Sequence, residues 1–591
     1  MITIPDSKSL KQLNIKQLNA LCQELRSEII RVVDKNGGHL SSNLGTVELT
    51  VALHYVFDLP SDKIIFDVGH QAYAHKLLSG RDLSHIRKEN GVSGFPDPSE
   101  SEFDAFSVGH AGTSIASGLG YCYSRDKLGD NYNVITVVGD ASLFNGENLE
   151  AITSSTNKPS NFLVVLNDNG MSINKNDNGL YKVISKITVK KGYNRFNSFL
   201  SRTVGKCFIG RWLKAIKRFL KRSMSINTIT DSVGLKYVGK FDGHNLKTLI
   251  KILADIRDSN VPTLLHLTTV KGKGLPVAEE NSSKFHGVSK DMQVSKHYFS
   301  GGISSVLNEI VSKNPNVHAI TAGMKDGTGL SDFAEKHPSN FIDVGICEEY
   351  AVTLASGMAI SGTKPIVFIY STFMQRAYDQ IVHDVCLQNL PVIFCLDRAG
   401  LVGSDGKTHQ GVFDLSYLSH VPNLTVLAPK DLNELSLMIE EALKLNAPVA
   451  IRYPNGKIQN TEETAPFTSD FKWELLQKGG KNVILAVGPR MIELALNASK
   501  GTDTAVYNAR TIKPLDANVL NEIKGKNVIT LEDNAELGGF GTHVLKYYAD
   551  NKVLQKVTVL GVKDAFVVHA SVEKQLEKNG LTANAVKKLL T

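Results

Sequence analysis

The chain has 591 residues, a hydrophobic content of 42% and a formal net charge of +7. This length predicts three to four domains with large buried cores, and the absence of any apolar run of about 18 uncharged residues argues against membrane spans and a secretory signal. Six cysteines are scattered without a Cys-x-x-Cys pair, which argues against structural zinc and a disulfide framework. Free thiols are typical of a reducing compartment, so we expect a cytoplasmic protein.

The positive charge is concentrated in one segment, 171–225, which holds fourteen Lys/Arg and one Asp. Apolar residues recur there at helical spacing with cations between them, and this predicts a basic amphipathic helix. Such a helix could contact a membrane surface or nucleic acid. We favour a mobile lid whose cations border a site for phosphorylated and carboxylate ligands, and we expect no nucleic-acid partner.

The first block of the chain alternates helix and strand patterns. A capped helix is predicted over 15–36, and buried strands are predicted over 134–138, 162–166 and 262–268. Alternation of this kind predicts a doubly wound, largely parallel sheet flanked by helices.

Two further blocks show the same pattern. Their predicted strands lie at 318–321, 365–369, 391–395 and 424–427 in the second block, and at 483–487, 504–507 and 527–531 in the third. A polar stretch at 455–472 separates them and is typical of a linker. We therefore expect an α/β protein with three domains, each built on a largely parallel sheet.

Polar residues follow two predicted strands of the first block. Asp140 comes after the strand at 134–138, and Asn169 closes the turn after the strand at 162–166. The carboxyl ends of neighbouring parallel strands meet at the crevice where ligands bind. A carboxylate and an amide oxygen there are hard ligands suited to Mg²⁺ that holds a diphosphate.

Short motifs spread over nearly the whole chain carry a family resemblance. They lie at 38–45, 67–76, 94–96, 271–274, 285–286, 343–348, 370–379, 397–400, 405–411 and 532–534. In this order they resemble the 1-deoxy-D-xylulose-5-phosphate synthase family, thiamin diphosphate enzymes of the transketolase superfamily. The resemblance implies a homodimer with a diphosphate-binding domain at 1–298 that includes the lid, a pyrimidine-binding domain at 299–456, a linker at 457–475 and a transketolase C-terminal domain at 476–591.

The resemblance also implies the activity, in which pyruvate is decarboxylated and its two-carbon unit is transferred to D-glyceraldehyde 3-phosphate. Asp140, Asn169 and the main-chain carbonyl of Met171 are the implied ligands of Mg²⁺. Glu348 matches the family carboxyl group that contacts N1′ of the cofactor's aminopyrimidine ring. The sequence leaves open whether the product supplies isoprenoid, thiamin or pyridoxal synthesis.

Family positions imply the other site residues. The remaining cofactor-binding positions are His70, Gly109, His110, Ala111, Ala141, Ser142, Lys271, Leu275, Phe373 and Arg376. The implied catalytic and acceptor-binding residues are His39, His286, His409, Asp405, Tyr370 and Arg398. Imidazoles suit proton transfer because their pKa lies near neutrality, and the planar guanidinium of Arg398 suits a phosphate.

The chain departs from the family pattern at four places that touch the site. Asn455 stands where the family has an Arg that would clamp the acceptor phosphate. Losing one such charge-assisted contact costs about 1.5–3 kcal/mol of binding free energy. Gly-Asp-Gly-Ala has become Gly-Asp-Ala-Ser at 139–142, followed by a stretch at 143–148 that departs from the family's small-residue pattern. Gly-His-Ser-Ser has become Gly-His-Ala-Gly at 109–112, which removes hydroxyls near the diphosphate. Leu275 replaces the aromatic residue that usually follows Lys-Gly-x-Gly.

These departures keep two alternatives open. The first is a divergent paralogue that decarboxylates a 2-oxo acid but uses another aldehyde as acceptor. The second is a non-catalytic paralogue that serves as a binding or regulatory subunit, and retention of Glu348, His39, His286, Asp140 and Asn169 argues against it. Ala at position 141 is compatible with cofactor binding unless a positive φ is needed there.

Overall fold

The structure is a computed structural model that describes residues 7–154, 156–170, 230, 232–289, 299–456 and 465–591. The chain divides into two compact units, one formed by 1–86 and 91–291 and the other by 87–90 and 292–591. Among the described residues, no helix is both long enough and apolar enough to cross a bilayer. The predicted lid lies at 171–225 and is outside the described residues.

The first unit is built on a five-stranded parallel sheet with the strand order β2-β3-β4-β6-β5. Its strands are β2 (Lys63–Phe66), β3 (Val134–Gly139), β4 (Phe162–Asp168), β5 (Lys236–Asp242) and β6 (Thr263–Thr268). The short strands β1 (Gly38–His39) and β7 (Gly287–Val288) form a separate antiparallel pair. The parallel strands predicted at 134–138, 162–166 and 262–268 are confirmed to within two residues at each end.

Helices surround the sheet of the first unit. They are Ser7–Leu10, Ile15–Asn36, Ser41–Leu44, Val47–Val56, Tyr73–Leu78, Ser114–Leu128, Asp140–Leu143, Gly146–Thr153, Leu246–Ser259 and Pro276–Glu280. The predicted helix at 15–36 begins after Asn14, which accepts a hydrogen bond from the backbone of Gln17 while the Gln17 side chain accepts one from Asn14. This reciprocal cap satisfies two donors that a helix start leaves unpaired, and it explains why the helix begins at Ile15.

The second unit contains two sheets. The larger sheet has the order β17-β12-β13-β11-β10-β8-β9 and is parallel except for the edge strand β17. The smaller sheet has the order β14-β16-β15-β18-β19 and is parallel except for the edge strand β14. The strands are β8 (Val317–Thr321), β9 (Phe341–Asp343), β10 (Lys364–Tyr370), β11 (Ile393–Asp397), β12 (Thr425–Leu427), β13 (Val449–Arg452), β14 (Glu474–Gln477), β15 (Asn482–Ala486), β16 (Thr504–Asn508), β17 (Thr511–Lys513), β18 (Asn527–Ala535) and β19 (Val557–Val562).

Helices cover both sheets of the second unit. They are Phe299–Lys313, Ser331–Lys336, Glu348–Ile360, Ser371–Met374, Tyr378–Gln380, Asp414–Leu418, Leu432–Ala442, Pro489–Ser499, Ala517–Glu522, Phe540–Asp550, Val572–Lys578 and Ala583–Lys587, with a π-helical turn at Ile381–Cys386 and 3₁₀ turns at Pro338–Asn340, Gln375–Ala377 and Gly406–Thr408. One buried apolar cluster joins the two sheets, since it contains Phe394 of β11 together with Val528 of β18 and Phe540. The predicted α/β class with largely parallel sheets is confirmed.

Candidate active site

The five parallel strands of the first unit end at one edge of its sheet, and predicted site residues follow β2, β3, β4 and β6. Gly139 pairs with Asn167 across β3 and β4, so Asp140, which begins the short helix Asp140–Leu143, and Asn169 both lie just beyond this pair. Asp140 is buried, with 2% of its surface exposed, and Asn169 is half-buried. The two oxygen donors predicted for a metal therefore lie at the tips of adjacent strands.

Hydrogen bonds fix the loop after β6 to the end of β4. Thr269 donates its backbone N–H to the Asp168 carbonyl at 3.0 Å and its hydroxyl to Oδ1 of Asn167 at 2.6 Å. Lys271 follows two residues later and is buried. Burial lowers the pKa of Lys271 to about 8, opposed by the nearby Asp140 carboxylate. A buried ammonium group beside a carboxylate at a ligand-binding sheet edge is suited to an anionic group such as a diphosphate.

Three predicted histidines form a cluster in the first unit. The ring centres of His39, His70 and His286 lie 5.1–5.6 Å apart. The hydroxyl of Ser42 lies 3.1 Å from Nε2 of His70 and 3.4 Å from Nδ1 of His286. Asn43 donates to the carbonyl oxygens of His39 and His70 at 2.8 and 2.7 Å. Ser42 and Asn43 lie within a motif of the sequence, but no role was predicted for either residue.

Local structure brings these histidines together. His39 pairs with Gly287 in the antiparallel ladder of β1 and β7, which places it next to His286 although the two histidines are 247 positions apart in the numbering. Burial holds the pKa of His286 well below its usual value, and Lys271, His70 and His39 lower it further. Neutral imidazole is therefore the favoured form of His286 near neutral pH, and it can accept a proton.

A buried carboxylate that the sequence reasoning missed organises the loops at 109–114 and 140–148. Asp67 accepts hydrogen bonds from the backbone N–H groups of Gly112 at 3.0 Å and Ser114 at 3.2 Å, and from the Asn148 side chain at 3.2 Å. Asn148 also donates to the carbonyl of Ser142 at 2.8 Å. The motif at 67–76 contains Asp67, but its partners lie 45 to 81 positions away, so spacing alone could not assign this contact.

The remaining predicted residues of the first unit surround these loops. Gly109, Ala111 and Ser142 are buried, and His110 and Ala141 are half-buried. Ala141 lies in the short helix Asp140–Leu143 and has no positive φ, so the replacement of Gly at this position is compatible with the backbone. Leu275 packs beside the core and precedes the helix Pro276–Glu280. Met171 lies outside the described residues.

In the second unit, Glu348 begins the helix Glu348–Ile360 with a side chain that is 3% exposed. Its Oε2 lies 3.6 Å from Nη1 of Arg376 and accepts no hydrogen bond from any residue that the structure describes. Burial raises the pKa of Glu348 to about 7, and Arg376 partly opposes this shift. A buried carboxyl oxygen of this kind can serve a ligand's ring nitrogen as hydrogen-bond partner.

Aromatic side chains lie at the end of β10. The rings of Tyr370 and Phe373 stack at 5.7 Å, and Phe373 meets His409 edge-on at 5.5 Å. The guanidinium carbon of Arg398 lies 3.9 Å from the centre of the Tyr370 ring. Four predicted residues from three separate motifs therefore form one group in the second unit.

Asp405 is paired with a residue that the sequence reasoning did not assign. Nη2 of Arg87 lies 2.6 Å from Oδ1 of Asp405 and 3.0 Å from the hydroxyl of Ser404. Burial lowers the pKa of His409, the Asp405 carboxylate opposes this, and the cations Arg398 and Arg87 add to it. A neutral His409 near neutral pH follows from these effects.

Asp397 is a buried carboxyl group of the second unit to which the sequence analysis gave no role. Asp397 ends β11 opposite Tyr370, and its Oδ2 has no hydrogen-bond partner within the described part of the chain. Burial raises the pKa of Asp397 to about 7, against the opposing effect of Arg398. Its position inside a motif was visible in the sequence, but burial was not.

Asn455, where the family pattern has Arg, is exposed. Its main-chain carbonyl accepts a hydrogen bond from Nη2 of Arg490 at 3.2 Å. Nη1 of Arg490 donates to Asp533 at 2.8 Å, and the other oxygen of Asp533 accepts from Arg452 at 3.2 Å. The loop that carries Asn455 is thus held through its backbone, and the side chain at 455 is not needed for this contact.

The described residues contain no group of three or more His, Cys, Asp or Glu side chains that could hold a metal ion. The first unit holds the strand-tip oxygen donors and the histidine cluster, and the second unit holds the buried carboxyl group at a helix start. Each matches a position that the resemblance implies for a thiamin diphosphate enzyme of the transketolase type.

Comparisons with known proteins give the family. Residues 1–269 match the model described as 1-deoxy-D-xylulose-5-phosphate synthase, 297–460 match the transketolase pyrimidine-binding domain, and 471–586 match the transketolase C-terminal domain. The 1-deoxy-D-xylulose-5-phosphate synthase of Clostridium tetani is 44% identical over 99% of this chain and 98% of its own length. That of Thermus thermophilus is 43% identical over 99% of this chain and 97% of its own length. A solved transketolase from Campylobacter jejuni is 17% identical, with 98% of this chain and 99% of that chain covered and a TM-score of 0.44.

The chain belongs to the 1-deoxy-D-xylulose-5-phosphate synthase family, whose members are thiamin diphosphate-dependent transferases. The family predicted from the motifs is confirmed, and so is the predicted class of enzyme and function.

Proposed function

We propose that this protein decarboxylates pyruvate and transfers the two-carbon unit to D-glyceraldehyde 3-phosphate, with Glu348 as the carboxyl group that serves the cofactor. The observation that carries the assignment is the burial of Glu348 at a helix start, where its Oε2 accepts no hydrogen bond from the described residues. Thiamin diphosphate, when bound, would supply the nucleophilic carbon that decarboxylation of a 2-oxo acid requires. Glu348 would hold the proton shared with N1′ of the cofactor's aminopyrimidine ring.

The diphosphate end is assigned to the strand tips of the first unit. Asp140 and Asn169 supply oxygen donors to Mg²⁺, and Lys271 supplies positive charge to the diphosphate. Mg²⁺ keeps several ligand positions for phosphate oxygens and water, which agrees with a donor set of few protein side chains. The main-chain carbonyl of Met171 is proposed as a further ligand by family position.

Proton transfer is assigned to the histidines. His39, His70 and His286 share one cluster, and Ser42 lies within hydrogen-bond reach of two of them. Because burial favours the neutral form of His286, this residue can accept a proton from a substrate hydroxyl near neutral pH.

Acceptor binding is assigned to the aromatic and charged group at the end of β10. Arg398 offers the phosphate a planar guanidinium that the Tyr370 ring already supports from one side. His409 and Asp405 are proposed to contact the acceptor's hydroxyl groups, and Phe373 and Arg376 to border the aminopyrimidine. Arg87 orients Asp405 through its ion pair.

We also propose the finer features of organisation. The domains are taken as 1–298, 299–456 and 476–591, which the three matched models support. A cytoplasmic homodimer is proposed from the family resemblance, and the five described cysteines are all free, as a reducing compartment would require.

The experiment uses the purified full-length protein with Mg²⁺ and thiamin diphosphate. Pyruvate is supplied with D-glyceraldehyde 3-phosphate, and both CO₂ release and the sugar phosphate are measured. Formation of 1-deoxy-D-xylulose 5-phosphate with equal release of CO₂ is the expected result. Failure to bind the cofactor would leave the non-catalytic paralogue as the remaining explanation.

A different aldehyde acceptor is the second candidate, and Asn455 is the observation that favours it. The same assay with unphosphorylated glyceraldehyde distinguishes the two functions. A higher kcat/KM for glyceraldehyde than for its 3-phosphate would identify the protein as a synthase with an altered acceptor.

A further inference from the structure

Two departures from the family pattern meet in the structure, at Gly112 and Asn145. A Cβ atom built on Gly112 would lie 2.1 Å from Oδ1 of Asn145 and 2.7 Å from its Cγ. These distances are far below van der Waals contact, so a side chain at 112 and the present Asn145 side chain exclude each other. The family pattern has Ser at 112 and small residues around 145, and both positions are exchanged in this chain.

Asn145 cannot easily move aside. It is fully buried, and its Oδ1 accepts a hydrogen bond from the backbone N–H of Glu147 at 3.2 Å. This bond caps the helix Gly146–Thr153, so a rotation of the side chain would leave the cap donor unsatisfied. The Asn145 amide is thus fixed in the space that a residue 112 side chain would occupy.

The two loops that carry these residues are the ones assigned to the diphosphate end. Gly112 donates its backbone N–H to Asp67, and Asp67 also binds Asn148, which holds the carbonyl of Ser142. Asn145 follows Asp140 by five positions on the second of these loops. The pair therefore lies where the loops at 109–114 and 140–148 pack against each other.

We propose that Asn145 and Gly112 form a matched pair in which the Asn145 amide takes the place of the missing residue 112 hydroxyl and positions the diphosphate-binding loops. The proposal rests on the function proposed above. Oδ1 of Asn145 is engaged as the helix cap, so in this proposal its Nδ2 group supplies the N–H donors that replace the single O–H donor of a serine at 112. It explains how this chain can lack both serines at 111–112 and remain a member of the family.

Four variants test the pair: N145G, N145D, G112S and the double variant G112S/N145G. Glycine is a fair helix cap and aspartate a good one, so both changes at 145 preserve the start of the helix Gly146–Thr153. Gly112 has a φ of +95°, and Gly129 has a φ of +75° with open space around it. G129S is therefore the matched control for placing serine at a positive φ without a clash.

Two measurements are made on each full-length variant: the Kd of thiamin diphosphate with Mg²⁺ by calorimetry, and the unfolding temperature without cofactor. We expect N145G to weaken binding about tenfold, and N145D to weaken it further because a carboxylate repels the diphosphate. G112S should weaken binding about tenfold or more in the wild-type background and no more than about twofold in the N145G background. It should also lower the unfolding temperature more than G129S does, and N145G should reverse most of that loss.

The matched pair would be overturned if the double variant showed the sum of the two single-variant effects, both in binding free energy and in unfolding temperature. An unchanged Kd in N145D would overturn the role of the amide at the diphosphate end. If G112S alone does not fold, a folded double variant supports the pair and an unfolded one overturns it. Absence of thiamin diphosphate binding in the wild-type protein would overturn the proposed function instead, and the unfolding temperatures would still decide the pairing.

Discussion

The guanidinium of Arg398 stacks on the ring of Tyr370, with its central carbon 3.9 Å from the ring centre. The stack holds the guanidinium plane in one orientation, and a planar fork in a fixed orientation can bind two phosphate oxygens at once. Lysine keeps the charge but loses both the fork and the stack. We expect Arg398→Lys to raise KM for D-glyceraldehyde 3-phosphate about tenfold or more while KM for pyruvate changes little. Equal increases of both constants in steady-state kinetics would contradict an acceptor-phosphate role.

Glu348 is expected to be essential for turnover. Glu348→Gln keeps the size of the side chain but cannot hold or release the proton shared with N1′, so kcat should fall by about 10²–10⁴. Glu349→Gln is the matched control, because Glu349 is the neighbouring carboxylate and contacts Arg376 at 3.9 Å. A kcat in Glu348→Gln within a few-fold of the Glu349→Gln value would remove Glu348 from the mechanism.

The raised pKa of Glu348 also predicts a pH dependence of stability. Burial shifts this pKa from 4.5 to about 7, so the folded protein binds more protons than the unfolded chain between these values. The contribution of Glu348 to stability is therefore fully present below pH 4.5 and is lost as pH rises through about 7. Without cofactor at pH 5, the unfolding temperature of Glu348→Gln should equal that of the wild type or be slightly lower. At pH 8 it should be a few degrees higher than that of the wild type. A difference that does not change with pH would refute a buried, protonated Glu348.

Lys271 should show opposite effects on binding and on stability. Its ammonium group is buried at a cost to folding, but the same charge attracts the diphosphate. Lys271→Met should weaken thiamin diphosphate binding about tenfold or more and raise the unfolding temperature of the cofactor-free protein. Lys273→Met, at a half-buried position two residues away, should change neither quantity appreciably. Calorimetry and thermal unfolding measure the two effects, and a loss of both binding and stability would indicate a purely structural lysine.

Restoring the family residue at 455 tests the acceptor pocket. Asn455 is exposed, and the hydrogen bond from Arg490 goes to its main-chain carbonyl, so Asn455→Arg should be accommodated without loss of stability. We expect KM for D-glyceraldehyde 3-phosphate to fall about tenfold, the value of one charge-assisted contact. Asn455→Gln controls for side-chain length and should leave KM unchanged. No change in Asn455→Arg would place this position outside the pocket.

The sequence predicted those parts of the fold that depend on local pattern. Buried parallel strands such as β3 and β4 are continuous apolar runs, and their ends carry turn residues, so the adjacency of Asp140 and Asn169 followed from pattern alone. The helix at 15–36 was predicted with its cap because the cap residues are neighbours in sequence. Short edge strands such as Thr511–Lys513 carry too few residues for a period to be visible, and Glu474–Gln477 begins inside the predicted linker.

Side-chain partners were predicted less completely, because they depend on which distant segments meet. Arg87 and Asp405 are 318 positions apart, and neither the charge of Arg87 nor its spacing indicated the pairing. The exclusion between Gly112 and Asn145 was likewise hidden, since each departure from the family pattern gave no sign of the other. Family motifs supplied the predicted site residues, and the contacts of the histidine cluster with Ser42 and Asn43 became visible only in the structure.

Strand β17 has a consequence for how the chain can be divided. This segment comes after the smaller sheet's β16 in sequence, yet it pairs antiparallel with β12 and closes one border of the larger sheet. A fragment that stops at 456 would expose the unpaired backbone groups of β12, which is a ready template for intermolecular strand addition. The pyrimidine-binding segment produced alone should therefore self-associate, and any split or domain-exchanged form of the protein should keep 299–591 as one piece.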